Sequence, residues 1–517
     1  MSSVLDKRRA GVLLHITSLP STLGFGSMGR HAYRFVDFLK ECGLSVWQVL
    51  PIHPLHRVPL ETPHRDFLSP YQPMSAFAGN PMLINLRKLI DKGWLPRMVF
   101  PTFDGQIEKA FEYRRQHLKN AYFHFSRHAN SHDKQKFNDF VQHNEQQHNE
   151  QQWLRDYALF CALKDFYNGA CWWNWQDKGH RNHDLASLQK FIEREDKKHC
   201  LNRYYFEQFA FFTQWAELKK YANDQGVYLF GDMPFFMARD SVEVWAHREY
   251  FQLDQDGIPL FLSGYPSKND NFSPSEGQCW GHPLYDEEDF EWWLNRFKSA
   301  NTQFDLVRLT HFQGFHHCWA IENSLSINPM NGELQPTLGR MLFNSLQKLD
   351  LPLIFVAEDI GSSEDVWKLR NEFQFHKMKL LQLAFDTKKE DYLYLKNPHL
   401  PHNHSARDVV YTGTHDSDTT KGWFFRAGYE ERRKFVCSYL NARAEEMPFP
   451  IIRAAFQSSS KLAMVPMQDY LSLDGKCRMN EPGTSKHKNW RWQFQWTQIT
   501  QDVEHKIKEL VELYERG

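Results

Sequence analysis

Eight short apolar runs recur along the chain: GVLLH (11–15), VWQVLPI (46–52), GVYLFGDMP (226–234), FDLVRL (304–309), LIFVAED (353–359), LLQLAF (380–385), VVYTGTH (409–415) and AMVPMQD (463–469). Between them apolar residues return every three or four positions, the spacing of an amphipathic helix. Runs that are apolar throughout, instead of alternating, suit strands buried on both faces of a parallel sheet. Eight strand-then-helix units predict an α/β fold, a (β/α)8 TIM barrel. Their number alone would also permit an open doubly wound sheet.

One interval breaks the rhythm. The second and third runs stand about 170 residues apart, far more than a loop spans, and the sequence between them reads as helices, including AFEYRRQHLKNAYFHFSRH and RYYFEQFAFFTQWAELKKYANDQG. We therefore expect a first barrel segment at 1–85 (strands 1 and 2), a helical insertion subdomain at 86–222, and the rest of the barrel with loop insertions at 223–517. A chain of 517 residues is long enough for two or three domains or for one barrel enlarged in this way. The near-repeat QHNEQQHNEQQ inside the insertion reads as a solvated helix face.

Charge narrows the ligand. Lys and Arg number 62 against 63 Asp and Glu, so nothing in the balance favours a nucleic acid or an anionic membrane. Aromatic residues make up 15% of the chain, with 17 Trp. Beyond core packing, such rings serve as platforms for flat apolar faces such as those of sugars. The N-terminal stretch is a poor signal peptide, and no run reaches transmembrane length. The eight cysteines are scattered without a CxxC pair or zinc spacing, which suits reduced thiols in a cytoplasmic protein without structural metal. No phosphate-cradling glycine loop appears, so no cofactor is expected.

The chemistry-bearing residues gather where the apolar runs end: Asp232, Arg308, Glu358, Asp359, His415 and Asp416. The C-terminal mouth of a parallel barrel is where its βα loops converge. In VAEDIG (356–361) adjacent acids point to opposite faces, so only one of Glu358 and Asp359 enters the mouth. Glu358 suits a general acid, whereas Asp359 equally suits a helix cap. In YTGTHDSDT (411–419), His415 with Asp416 suits vicinal sugar hydroxyls, because a carboxylate accepts two hydrogen bonds and imidazole donates one. Asp418 suits an Asx turn or N-cap as well as a ligand. Tyr71 in SPYQPMSAFAGNP (69–81) and Trp280 in SPSEGQCWGHPLYD (273–286) are candidate sugar platforms in stretches that ordinary loops would also explain. Asp232 in GDMPFFMARDS (231–241) would be costly at a strand end without a ligand or an arginine.

Together these stretches resemble the amylomaltases, the 4-α-glucanotransferases of glycoside hydrolase family 77. SPYQ, SAFAGNP, GDMP, VRLTHFQGF, AEDIG, LPHN, VVYTGTHDSDT, GW (422–423), VPMQD and RMNEPGT…NWRW (478–492) follow one another in the family's order over nearly the whole chain. The resemblance implies a retaining double displacement that moves an α-1,4-glucan segment to the 4-hydroxyl of glucose or a maltooligosaccharide. It implies Glu358 as acid/base and Asp416 as the carboxylate that stabilises the transition state. It also implies Arg308, His415, Asp232, Tyr71, Trp280, His311 and Asn480 as substrate-binding positions.

The nucleophile position falls on Thr310. The family carries R-I-D-H-F-R-G where this chain reads Arg308-Leu309-Thr310-His311-Phe312-Gln313-Gly314. An alcohol is essentially never ionised near pH 7, and its adduct would be a stable glycoside. Asp305 is no replacement, since five strand residues carry it roughly 16 Å away. Gln313 in place of arginine, the loop SGYPSKNDNFSPSEGQCW and the segment WAIENSLSINPMNGELQP (319–336) also depart from the family. Thr310 leaves two alternatives to transfer: a non-catalytic α-glucan-binding homologue, or a hydrolase in which water occupies the vacated space.

Overall fold

The structure, a computed structural model, describes residues 4–56, 68–103, 105–146, 152–266, 277–286, 290–324, 326–385, 396–484 and 488–517. Numbered along the chain, its strands are β1 (Arg9–Leu13), β2 (Val46–Gln48), β3 (Tyr228–Met233), β4 (Phe261–Tyr265), β5 (Gln278–Pro283), β6 (Leu306–Leu309), β7 (His317–Glu322), β8 (Glu333–Pro336), β9 (Ile354–Ala357), β10 (His376–Leu380), β11 (Asp408–Tyr411) and β12 (Leu462–Pro466). Eight of them close into a parallel barrel in chain order, β1-β2-β3-β6-β9-β10-β11-β12, with β12 returning to pair with β1 from Arg9↔Leu462 to Leu13↔Pro466.

The period of two along each strand sorts the barrel's side chains. Val46, Phe230, Leu306, Val356, Met378, Leu380, Val409, Tyr411, Leu462 and Met464 share the interior cluster, while the intervening Trp47, Leu229, Val307, Ala357, Val410, Ala463 and Val465 join the larger core under the helices. This is why these strands read as uninterrupted apolar runs. Gly11 is needed because a Cβ there would stand 2.4 Å from the carbonyl oxygen of Val46.

The sixth run is placed differently. LLQLAF does not form the strand: β10 is the preceding HKMKL, and Leu381–Ala384 is already helical. The apolar-run criterion failed because β10 alternates, with Met378 and Leu380 inside the barrel and Lys377 on the outward row 3.7 Å from Asp408. The interval between β2 and β3 contains helices at Ile107–His128, Ser131–Gln146, Trp153–Phe166 and Glu195–Asp224, among shorter ones. A four-stranded antiparallel sheet, β5-β4-β7-β8, lies outside the barrel count and was not expected from the sequence.

A partly buried ionic cluster ties Trp153–Phe166 to the segment after β3. Asp156 lies 3.3 Å from His183 Nε2 and 3.6 Å from His247 Nε2, and His247 Nδ1 lies 3.2 Å from Glu249. Burial would lower the His247 pKa, but the carboxylates of Asp156 and Glu249 outweigh it and hold it at about 9. Raised from an ordinary value near 6.5, it contributes on the order of 3 kcal/mol. That stability is fully present below pH 6.5 and is lost as pH rises through about 9. His247→Gln is therefore expected to flatten the fall in Tm between pH 6.5 and 9.5. Parallel Tm curves for the two proteins would contradict the linkage.

Candidate active site

The inward row of the barrel ends at its C-terminal mouth in polar residues. Phe230 and Leu306 point inward, so Asp232 and Arg308, two residues on and paired in register, do too. By the same alternation Glu358 follows Val356 inward, whereas Asp359 turns outward. There Asp359 forms an ion pair with Arg370 of the helix Glu364–Glu372. That helix begins at Ser363, so Asp359 is not its cap.

Arg308 is buried between two carboxylates. Its Nε donates to Asp232 Oδ1 at 3.2 Å and its Nη2 to Glu358 Oε2 at 3.3 Å. Tyr71 Oη donates to the other Asp232 oxygen at 2.7 Å. Burial pushes the Asp232 carboxyl up to about 6, against the opposing pull of Arg308, His415 and the Tyr71 hydroxyl. The Arg308 guanidinium itself, penalised by burial but flanked by Asp232 and Glu358, is held well above its usual value.

Glu358 takes a second hydrogen bond, from the backbone N–H of His311 at 2.8 Å. His311 adopts a left-handed conformation, φ 49° and ψ 49°, which costs about 1 kcal/mol for a residue with a Cβ. A hydrogen bond to a carboxylate, about 1.5–3 kcal/mol, offsets that cost. The His311 ring meets Trp280 edge to face at 4.7 Å, and Tyr265 stacks on Trp280 at 6.4 Å. The new sheet thus has a clear place: β4 and β5 bring Tyr265 and Trp280 against the loop that follows β6. Residues 267–276, most of the departing loop SGYPSKNDNFSPSEGQCW, lie outside the described residues.

Across the mouth, Tyr71 stacks on His415 at 5.1 Å and 13°, with Trp490 5.9 Å from both rings. The ring nitrogens of His415 are buried without a hydrogen-bond partner, although Nε2 lies 3.3 Å from Asp416 Oδ2. Asn480 Nδ2 donates to Asp416 Oδ1 at 2.7 Å, and Arg478 Nη2 to the Asp416 carbonyl at 2.8 Å. Burial alone would raise the Asp416 carboxyl, but His415, Asn480 and Arg308 outweigh it and hold it far below the usual carboxylate range.

Thr310 stands on the inward row two residues past Arg308, and its hydroxyl is held through its proton and one lone pair. Oγ1 donates to the carbonyl of Met233 at 2.9 Å and accepts from the N–H of Phe235 at 3.0 Å, both at the end of β3. Asp305, by contrast, lies just before β6 at the other end, where it accepts from Leu229 N and Asn223.

Arg478 and Asp469 were not singled out by sequence reasoning. Asp469 is buried and accepts from Thr412 Oγ1, Thr420 Oγ1 and Thr420 N at 2.6, 2.6 and 2.7 Å. It pins both ends of the loop that carries His415 and Asp416. Thr419 caps the helix Thr420–Phe425, and Asp418 instead pairs with Arg426 at 3.4 Å. Among the described residues, no group of three or more His, Cys, Asp or Glu side chains is arranged to hold a metal ion, and no helix is long and apolar enough to cross a membrane.

A parallel barrel that gathers carboxylates around a buried arginine at its C-terminal mouth, between aromatic rings, has the architecture of a carbohydrate-processing enzyme. The chain belongs to the 4-alpha-glucanotransferase family, glycoside hydrolase family 77, which it matches over residues 14–499. A 4-alpha-glucanotransferase of Synechocystis sp. is 39% identical over 531 residues, covering 99% of each chain. That of Thermus thermophilus is 38% identical over 528 residues, covering 98% of this chain and 99% of its own. Among solved structures, the amylomaltase from Streptococcus agalactiae in complex with acarbose superposes with a TM-score of 0.87 at 32% identity, over 99% of this chain and all of that one. An amylomaltase from Corynebacterium glutamicum shares the fold, with a TM-score of 0.75 at 15% identity over 98% of this chain and 75% of its own.

Proposed function

We propose that the cleft binds α-1,4-linked glucans and is built for 4-α-glucan transfer, with Glu358 as acid/base and Asp416 as the carboxylate that grips sugar hydroxyls and faces the cationic transition state. Its covalent step lacks a carboxylate at 310. Tyr71 and Trp280 supply stacking faces, and Arg308, Asp232, His311, His415 and Asn480 supply the polar contacts. The His415 Nδ1, buried without a hydrogen-bond partner, supports this reading, because buried polar groups rarely go without a hydrogen bond unless something else supplies it.

The observation that carries the reading is the engagement of the Thr310 hydroxyl by Met233 and Phe235. A hydroxyl with its proton on one backbone group and a lone pair on another is no nucleophile. Ordinarily a carboxylate here captures the anomeric carbon and balances the oxocarbenium-like charge. Without it, transfer is expected to be slower by on the order of 10³–10⁶, while ground-state binding, spread over the other contacts, persists.

Two measurements on one preparation test this. Titration calorimetry with maltoheptaose is expected to show saturable binding, and maltotriose is expected to remain nearly unchanged over hours. Steady conversion of maltotriose to glucose and maltopentaose at about 1–10³ turnovers per second would refute the loss of the covalent step. Absence of maltoheptaose binding would refute the glucan site itself.

A further inference from the structure

Retaining transfer has two halves with different needs. In the first, a carboxylate attacks the anomeric carbon and leaves the sugar with a bond on its β face. In the second, an acceptor hydroxyl attacks from the α face, and the acid/base residue takes its proton. Thr310 removes what the first half needs and leaves the second half whole. Glu358 keeps both of its donors, Arg308 and His311 N–H, and the Asp416 loop keeps Arg478, Asn480 and the Asp469 anchor. The Thr310 hydroxyl is drawn back onto the end of β3, and the only other branch of a threonine side chain is a methyl group. No negative charge stands at this position to repel a leaving anion.

We propose that this cleft transfers maltooligosaccharyl groups from donors that already carry a small leaving anion on the β face of C1. This inference rests on the glucan reading of the site. The reaction is a single displacement. The 4-hydroxyl of a bound maltooligosaccharide attacks C1 as its proton passes to Glu358, and the new O4–C1 bond forms on the α face. The bond from C1 to the leaving anion breaks with its electron pair, so β configuration becomes α. Glu358 then returns its proton to solvent, and the net by-product is the protonated leaving group. The α-1,4 bond made in this way is not recut, because recutting needs the missing carboxylate, so product accumulates. The substrate class is a β-configured glycosyl donor, in contrast to the α-glucan donors on which ordinary transfer depends.

The test uses β-maltosyl fluoride as donor and maltose as acceptor, with fluoride followed by an ion-selective electrode and products by NMR. Fluoride and an α-1,4-linked tetrasaccharide are expected in equal amounts, at least tenfold above the enzyme-free rate, with α-maltosyl fluoride left untouched. Thr310→Asp is expected to reverse this preference, using the α-fluoride and sparing the β-fluoride. Glu358→Gln is expected to lose tetrasaccharide formation from the β donor. Fluoride release no faster than the blank, in protein that still binds maltoheptaose, would overturn the inference and leave the glucan reading standing. Loss of maltoheptaose binding would remove both. Release of maltose without tetrasaccharide would mean that water is the acceptor and would also overturn the proposal. Formation of the α-1,4-linked tetrasaccharide from the α-fluoride by the unaltered protein would show a working nucleophile and would overturn both this inference and the loss of the covalent step.

Discussion

Thr310→Asp is expected to raise 4-α-glucan transfer from maltotriose by on the order of 10³–10⁶. The surroundings of residue 310 favour a productive rotamer. An aspartate turned the way Thr310 Oγ1 now points would bring a carboxylate oxygen toward the Phe235 N–H, but it would also face the Met233 carbonyl without a proton to share. That repulsion favours turning one carboxylate oxygen away from β3. Met233 would not be orphaned, since its carbonyl also accepts from the backbone N–H of residue 310 at 3.2 Å. The exchange trades a satisfied hydroxyl for a partly buried charge, and a stability cost of about 1–3 kcal/mol is expected. Initial rates of glucose release with equal amounts of folded protein measure the gain. A stable, glucan-binding variant with no gain would move the defect elsewhere, to Gln313 or the altered loops, since a small misplacement of reacting groups costs large factors in rate.

The barrel was legible because both faces of most of its strands are buried. GVLLH, VWQVLPI and AMVPMQD carry apolar residues inward and outward alike, so an uninterrupted run marks each strand. β10 escaped for the opposite reason: its outward row is charged, and the next residues, LQLA, belong to the short helix that follows it. The antiparallel sheet was harder still. Its strands FLSGY, QCWGHP, HCWAIE and ELQP mix glycine, proline and polar residues, and its central pairing, β4 with β7, joins segments far apart in the chain, such as Phe261 with Glu322.

For the site, alternation could say that Glu358 and Asp359 diverge and that Asp232 needs a cationic neighbour. It could not say that Arg308 spans Asp232 and Glu358, since the three lie on or just after different strands and only the lateral pairing of β6 with β3 and β9 brings them together. The left-handed turn at His311 carries no sequence signal, because nothing but its surroundings makes a histidine adopt it. Asp469 lay within VPMQD, yet its job depends on two threonines some fifty residues earlier. Thr310 was the reverse case. Its oddity was plain from the sequence, and the structure shows where its hydroxyl goes.

Glu358→Gln in the Thr310→Asp background is expected to lower maltotriose transfer by on the order of 10²–10⁴, the usual span of general acid–base catalysis. Geometry makes this substitution mild in structure. The amide oxygen of glutamine can take the hydrogen bonds that Arg308 Nη2 and His311 N now give to Oε2, so the left-handed turn keeps its partner. What goes is the proton: an amide does not protonate a departing glycosidic oxygen, nor does it take one from an incoming hydroxyl. The two roles separate with α-maltosyl fluoride, whose leaving group needs no acid. Formation of the glycosyl ester on the introduced aspartate should then proceed, whereas its resolution by a sugar hydroxyl still lacks a base. A burst of about one fluoride per protein, followed by slow turnover, is the expected trace, with the burst height scaling with protein concentration. Undiminished maltotriose transfer by the double variant would refute the role given to Glu358. An equal loss on both substrates with no burst would mean that Glu358 serves to hold Arg308 and the His311 turn in place instead of moving a proton.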